Sequence, residues 1–230
     1  MRQGPGLLRF AAPALGLAFA LAPATAKAAE GALSHYLPGT AGDLGYALPP
    51  SPGFQAVNIV WSQSGSVGAA VVEGRSSVDL DLDLVLDLFG GFYTFERRVL
   101  GAAYTVGALV PFGRASLDGE VITASGARVG ASADSFALSD IAFVPIQLNW
   151  SAGKVHFKVS ETVTAPTGGY DIDRFVNLGR NYWSFDTAVA ATWFDPAAGR
   201  EISVQPGLML NTRNDATDYR TGAEFHVDFA

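Results

Sequence analysis

The stretch "VDLDLDLVLDL", residues 78–88, alternates acids with apolar residues and decides the fold class. Successive side chains of a β-strand point to opposite faces, whereas a helix would scatter both sets around its circumference. The pattern therefore predicts a strand with one acidic face and one leucine face. The acids that share a face are Asp79, Asp81, Asp83 and Asp87.

A metal site is the main alternative reading of the acids. D-x-D-x-D opens the calcium loop of an EF-hand, which also needs Gly at its sixth position and Glu at its twelfth. Those positions hold Leu84 and Gly90, so the match fails. The oxygen-rich segment 214–218 is typical of an ordinary turn. We expect no metal and no cofactor.

The first 28 residues have the organisation of a secretory signal peptide. Arg2 and Arg9 precede a short apolar run, and Ala26-Lys27-Ala28 forms an A-x-A cleavage site. The apolar run is too short for a membrane-spanning helix. We expect cleavage after Ala28 and export from the cytoplasm.

Composition narrows the class of the exported chain. It has no cysteine, so it is not a small disulfide scaffold. Removal of residues 1–28 takes the formal net charge from −7 to −10, which argues against nucleic acid as a partner. Hydrophobic residues make up 49% of the chain, yet no stretch after residue 28 approaches 18 consecutive apolar residues. The apolar residues must therefore be used in another way.

The remaining chain divides into an irregular leader, residues 29–53, and a strand-rich domain, residues 54–230. Tight turns are expected at 96–97, 151–153 and 195–199, and longer connections at 64–76, 112–135, 166–181 and 213–218. This alternation is the layout of an outer-membrane barrel. It predicts an all-β, antiparallel, up-and-down transmembrane β-barrel with about eight strands. The predicted strands are 54–63, 77–94, 98–111, 136–150, 154–165, 182–194, 200–212 and 219–229.

Tryptophans support a membrane position. Trp183 and Trp193 lie ten residues apart on one side of a strand, about 25 Å along the normal of a tilted barrel. Trp61 and Trp150 likewise end strands, so we assign all four to aromatic girdles on the lipid face. The leucines of 80–88 are then expected to face lipid and the acids of that strand to face the interior.

Polar residues on the other strands are candidates for the barrel lumen. The candidates are His156, Lys158, Asp186, Glu201 and His226, together with the four acids of 78–88. Glu161 falls on the lipid side, which requires a bulge or a position near the strand end. In the leader, His35 and Tyr36 are candidates for a plug. No nucleophile, base and orienting acid are spaced for catalysis, so we expect no enzyme.

Four segments carry a family resemblance: "GALSHYLPGT" (31–40), "APTGGYD" (165–171), "NLGRNYWSFD" (177–186) and "NTRNDATDYRTGAEFHVDFA" (211–230). They occur in the same order in the outer-membrane family named for the meta-pathway of phenol degradation, which the chain resembles. The resemblance implies a β-barrel channel for small organic compounds, often aromatic or hydrophobic. Partners are then membrane lipid, such solutes and the outer-membrane insertion machinery.

The family pattern continues beyond the segment that matches 219–230 and completes about a dozen strands. We therefore expect a C-terminally truncated member in the bacterial outer membrane. Eight strands close only around an interior filled by side chains, so a non-conducting structural or surface-interaction barrel is the alternative function. A third is a soluble secreted β-sandwich that binds ligands, which requires the leucine face to be buried against a second sheet.

Overall fold

A computed structural model describes residues 34–40, 46–72, 76–122, 127–174 and 176–230. Within these ranges the regular structure is entirely β, and no helix is long and apolar enough to cross a membrane. The predicted signal peptide and part of the predicted leader lie outside them. The strands are β1 (Gly53–Val72), β2 (Ser76–Thr94), β3 (Ala103–Ile122), β4 (Arg128–Leu138), β5 (Ile141–Ala152), β6 (Val155–Ala165), β7 (Ser184–Asp195), β8 (Arg200–Asn211), β9 (Arg213–Asn214), β10 (Tyr219–Arg220) and β11 (Glu224–Phe229).

The described strands form one curled antiparallel sheet in which most neighbours along the chain are paired. Its order is β1-β2-β3-β5-β6-β7-β8-β11, with β4 also paired to β3, while β9 and β10 form a separate small hairpin. The predicted all-β antiparallel meander is confirmed.

Two of the three predicted tight turns, at 151–153 and 195–199, lie where the sequence predicts them. The third lies at Leu100-Gly101, within the connection 95–102, and not at 96–97. Gly153 and Gly199 adopt positive φ in the turns after β5 and β7, and Leu100-Gly101 does so between β2 and β3. Trp150 donates its indole N–H to the Leu100 carbonyl and so joins two of these turns. The short connections therefore gather at one end of the sheet, which we call the turn end.

Two of the four predicted long connections are in fact strands. Residues 112–122 pair with 128–138, and 64–72 continue β1 against β2. Residues 112–135 are rich in Gly, Ala, Ser and Asp, which have weak strand propensity. Cross-strand ion pairs between Arg114 and Asp134 and between Arg128 and Glu120 accompany the pairing.

The predicted strand 136–150 is two strands with a corner at Ser139-Asp140. β4 and β5 lie one after the other along β3, since Phe112 pairs with Leu138 and Leu109 with Ala142. The portion of β1–β4 beyond this corner has no counterpart in β6–β8, which span only 11 or 12 residues each. We call this portion, residues 60–87 and 112–138, the extension.

The buried core lies on the concave face of the extension. Leu84, Leu86 and Leu88 are 3–4% exposed and pack with Ala115 and Leu117. Their partners are Val176 and Leu178, from the segment 166–183 that folds inward, and Leu37 of the leader. The leucine face of 78–88 therefore contacts protein, and the prediction that it faces lipid is wrong.

The convex face of the sheet is apolar between the extension and the turn end. Exposed aromatic and aliphatic side chains cover this part of β1, β2, β5, β6, β7, β8 and β11, and we call them the outer belt. Its members are Phe54, Phe89, Tyr93, Phe143, Ile146, Phe157, Val159, Phe185, Val189, Trp193, Ile202, Leu208, Leu210, Phe225 and Phe229. On the extension, the same face carries charged side chains such as Arg114, Asp118 and Glu120 together with exposed apolar ones such as Val60, Val85 and Phe136.

A bulge changes the phase of β5. Its register against β6 shifts between Phe143 and Ile146, and that of β3 against β5 shifts at the same height. Val144 consequently points to the concave face and is 7% exposed, whereas the alternation predicts that it points outward. Ile146 remains on the convex face, 46% exposed.

Candidate functional site

The leader lies along the concave face of the sheet and is attached at both ends. At the end far from the turns, His35 Nε2 lies 2.9 Å from Asp140 Oδ2 and Nδ1 lies 2.6 Å from Ser184 Oγ. Toward the turn end, the Ala47 N–H donates to Thr192 and Asn149 donates to the Ala47 carbonyl. The described parts of the leader thus contact β7 near both of its ends.

Asp140, at the corner between β4 and β5, holds three segments together. Besides contacting His35, its carboxylate accepts the backbone N–H groups of Gly168, at 2.8 Å, and Arg180, at 2.6 Å. Burial would raise the pKa of this carboxyl, but the hydrogen bond and charge of His35 and the two N–H donors together hold it below its ordinary value. Asp140 therefore stays ionised as the common acceptor.

Glycines allow the inward-folded segment to reach this corner. A Cβ on Gly168 would lie 2.7 Å from the Ser139 carbonyl carbon, and one on Gly179 would lie 2.7 Å from the Gly168 carbonyl carbon. Both glycines belong to the family-like segments 165–171 and 177–186. The close approach of two backbones explains why these positions lack a side chain.

The second leader contact is an aromatic stack. The Tyr36 ring lies on the His226 ring with centroids 4.0 Å apart and an interplanar angle of 20°. Its hydroxyl donates to Asp228 Oδ1 at 2.5 Å, and His226 Nε2 lies 3.0 Å from Asp186 Oδ1. β7 and β11 thereby bring two carboxylates and an imidazole to one leader side chain.

A cavity of about 410 Å³ separates the leader from the sheet. One wall is apolar and consists of the leucines of β2 with residues of β1, β3 and β5. The facing wall is polar. The apolar lining includes Val57, Ile59, Leu84, Leu86, Leu88, Leu109 and Val144, and the polar lining includes Lys158, Ser160, Thr162, Asp186, Gln205, His226 and Asp228.

Three predicted lumen residues, Lys158, Asp186 and His226, line this cavity. Glu201 and His156 also lie on the concave side but nearer the turn end. There Ser203 donates to Glu201, and His156 Nδ1 lies 2.8 Å from Ser151 Oγ. The predicted set is thus divided between the cavity and its turn-end approach.

The acids of β2 do not reach the cavity. Asp81 and Asp83 are exposed on the convex face, and Asp87 on that face accepts a hydrogen bond from Asn58. The buried leucines alternate with them and take the concave face, so the predicted lumen role of these three acids is wrong. The side chain of Asp79 lies outside the described residues.

The tryptophans are placed differently from one another. Trp150, Trp183 and Trp193 lie on the convex face, the last two 43% and 37% exposed. Trp61 lies on the concave side, packs beside the leucine core and donates its indole N–H to the Pro38 carbonyl of the leader. Its assignment to the girdle is therefore wrong, because Trp61 pairs with Leu86 of β2 and both side chains point to the concave face.

Glu161 is on the convex face, as the alternation predicts. Thr187 on β7 donates to its carboxylate at 2.5 Å, and Ile146 is its neighbour on β5. The Thr187 hydroxyl therefore supplies one hydrogen bond to the Glu161 carboxylate, which is otherwise surrounded by apolar side chains.

Sequence reasoning missed Asp140. It falls inside a predicted continuous strand, and its role depends on a corner that only the pairing of β3 with two strands reveals. Asp228 alternates along β11 with Glu224 and His226 and shares their concave face, but the leader contact that gives it a role is non-local.

The strand order, outer belt and leader-lined cavity define an all-β protein with the architecture of outer-membrane channels. Among solved structures, the fold is similar to the COG4313 outer membrane channel from Pseudomonas putida F1, with a TM-score of 0.59 at 20% identity. The similarity covers 82% of this chain and 69% of that one.

A family model described as "Putative MetA-pathway of phenol degradation" matches residues 67–230. The match spans most of the chain, and the chain belongs to this family. The predicted resemblance to this family is confirmed, and three of its four segments fall within the matched residues, while 31–40 precedes them. No curated protein matches the chain.

Proposed function

We propose that this protein is an outer-membrane channel for small organic compounds, aromatic or hydrophobic, that serves phenol degradation. The observation that carries the proposal is the cavity of about 410 Å³ with one apolar and one polar wall. This volume is within the ordinary range of small-molecule sites, about 300–1,000 Å³. The family description and the likeness to a channel fold support the same assignment.

The two walls match the two parts of such a solute. Leucines and valines of β2 and β5 offer an apolar surface to a ring, while Lys158 and Ser160 opposite them offer hydrogen-bonding groups. An aromatic compound with one polar substituent can contact both walls at once. No chemical step is assigned to the cavity, and the protein acts by passage of the solute and not as an enzyme.

The outer belt supplies the proposed contact with membrane lipid. Trp193 belongs to it, and Trp183 is exposed on the same convex face ten residues before, a separation of about 25 Å along the membrane normal for a tilted strand. We propose that the signal peptide directs export, that the outer-membrane insertion machinery assembles the sheet and that the charged extension stands beyond the bilayer. The acidic balance of the chain argues against a nucleic-acid partner.

Solute flux through reconstituted vesicles tests the channel. Met209 lies on the concave face, 3% exposed, and lines the cavity, whereas its neighbour Leu208 is 46% exposed on the convex face. We expect Met209→Trp to add bulk to the cavity and to lower the initial rate of 4-methylphenol entry toward the rate of protein-free vesicles. Leu208→Trp is the matched control and should leave the rate unchanged.

A second function is favoured by one observation. The leader is anchored at His35 and at Ala47 and lies over the concave face, which would suit a non-conducting structural barrel. That function requires no entry above the protein-free rate for the native protein and for a variant with the His35 anchor removed. Entry by either would exclude it.

A further inference from the structure

We propose that Tyr36 is an internal ligand of a phenol-binding site formed by His226, Asp228 and Asp186, and that free phenols compete with it for this site. The inference rests on the proposed function and assigns its recognition site and the way the leader is released. Tyr36 ends in a 4-hydroxyphenyl group, so the structure itself holds a phenol in place.

The contacts of Tyr36 are those that a free phenol needs. The ring face is covered by the His226 imidazole at 4.0 Å, nearly parallel, and the hydroxyl donates to Asp228 Oδ1 at 2.5 Å. A stacked ring fixes the plane of the ligand, and a carboxylate acceptor fixes the position of its hydroxyl. Toluene has the ring and lacks the donor.

The site is built independently of the leader. Asp186 on β7 contacts His226 Nε2 at 3.0 Å and orients the imidazole, and Asp228 Oδ2 lies 3.5 Å from Gln205 Nε2. Gly207 on β8 lies under the His226 ring, where a Cβ would be only 2.3 Å from ring atoms. Strand residues alone therefore hold the imidazole against Gly207, and the opposite face of the ring can stack on an aromatic ligand.

The charges select a neutral hydroxyl donor. Two carboxylates, Asp186 and Asp228, border the ring, and one ammonium, Lys158, lines the same cavity and interacts with Asp228. The remaining negative charge repels an aromatic carboxylate or phenolate. Burial and then the hydrogen bond to Asp228 raise the pKa of Tyr36 above its ordinary value, so this phenol remains protonated. The ligand class is accordingly protonated phenols.

Competition couples binding to the leader. Tyr36 adjoins His35, whose anchor closes the far end of the cavity, and both residues line that cavity. A phenol that takes the place of Tyr36 on His226 removes one of the leader's attachments, and a docked Tyr36 excludes the phenol. Tyr36 and a free phenol therefore compete for one site. Their relative affinities set the fraction of molecules in which the leader is docked and the fraction in which it is released.

Calorimetric titration of the full chain in detergent with 4-methylphenol and toluene tests the competition. Tyr36→Ala removes the internal ligand, and we expect 4-methylphenol to bind about tenfold or more tightly than to the native chain, because a tethered competitor acts at an effective concentration near millimolar. Toluene should gain less than about threefold. Adding Asp228→Ala to Tyr36→Ala should abolish the preference for 4-methylphenol.

Two tyrosine-to-phenylalanine variants keep the test decisive if Tyr36→Ala does not fold. Tyr36→Phe keeps the ring and loses the donor, so 4-methylphenol should bind more tightly than to the native chain. Tyr104→Phe is the matched control, since Tyr104 lies on β3 outside the cavity and donates to the Pro145 carbonyl, and its loss should leave the affinity unchanged.

The outcomes separate this inference from the channel proposal. Equal affinity of 4-methylphenol for the native chain, Tyr36→Phe and Tyr36→Ala overturns the internal-ligand role, whether or not vesicles take up solute. Tighter binding by the Tyr36 variants, with the hydroxyl preference lost at Asp228→Ala, supports it even if vesicle uptake fails and the channel proposal falls.

Discussion

Truncation of one core leucine measures which face of β2 is buried. Leu86 is 4% exposed on the concave face, and Leu86→Ala removes three carbons from a cluster completed by Val176 and Leu178. At about 0.8 kcal/mol per buried carbon, the transfer cost is about 2.4 kcal/mol, and the cavity adds to it. We expect the free energy of unfolding to fall by about 3 kcal/mol.

The neighbouring residue provides the matched control. Val85 is 49% exposed on the convex face, and Val85→Ala removes two carbons that are only half covered. The same arithmetic gives a loss of about 0.8 kcal/mol. The difference between the two losses in free energy of unfolding therefore shows which face of β2 is buried, because both variants shorten a side chain of the same strand.

Guanidinium unfolding of the protein in lipid or detergent, followed by tryptophan fluorescence, provides the assay. The midpoint should fall well below the native value for Leu86→Ala and only slightly for Val85→Ala, with the slope unchanged. A larger loss for Val85→Ala than for Leu86→Ala would refute the inward assignment of the leucines and restore the opposite phase of the strand.

Three further predictions concern the orientation of β2, the leader anchor at Asp140 and the packing of the His226 ring over Gly207. Single cysteines at Asp81 and Asp83 should react with a water-soluble thiol reagent while cysteines at Leu82 and Leu84 are protected; the native chain has no cysteine to interfere, and uniform labelling would contradict the assignment. Asp140→Asn replaces a carboxylate that accepts hydrogen bonds from the backbone N–H groups of Gly168 and Arg180 and contacts His35. It should lower the free energy of unfolding by about 1–3 kcal/mol and make the leader accessible to protease. Unaltered cleavage would argue against Asp140 as the anchor. Gly207→Ala places a methyl group into the His226 ring and should cost about 1–3 kcal/mol, measured by thermal unfolding; an unchanged midpoint would mean that the ring does not lie over this glycine.

The positions of the strands followed from local patterns. Alternation in "EFHVDF" placed His226 and Asp228 on one face and Phe225 and Phe229 on the other, as the structure has them. Tight turns at Gly153 and Gly199 were likewise readable, because glycine tolerates the positive φ that these turns use. The weak alternation in 112–135 hid the second half of β3 and most of β4, which are stabilised by pairing with each other and, for β3, with β2.

The sequence alone determined the period of the strands and the partition of each into two faces, since both depend on side chains that alternate along an extended backbone. It could not determine which face of β2 is concave. An apolar face fits lipid and an apolar interior equally well, so the choice depended on whether protein would cover the leucines. Val176, Leu178 and Leu37 cover them, and they come from segments distant in the chain. Contacts between distant segments also set the corner at Asp140 and the stack of Tyr36 on His226, so only the tertiary structure assembled the site.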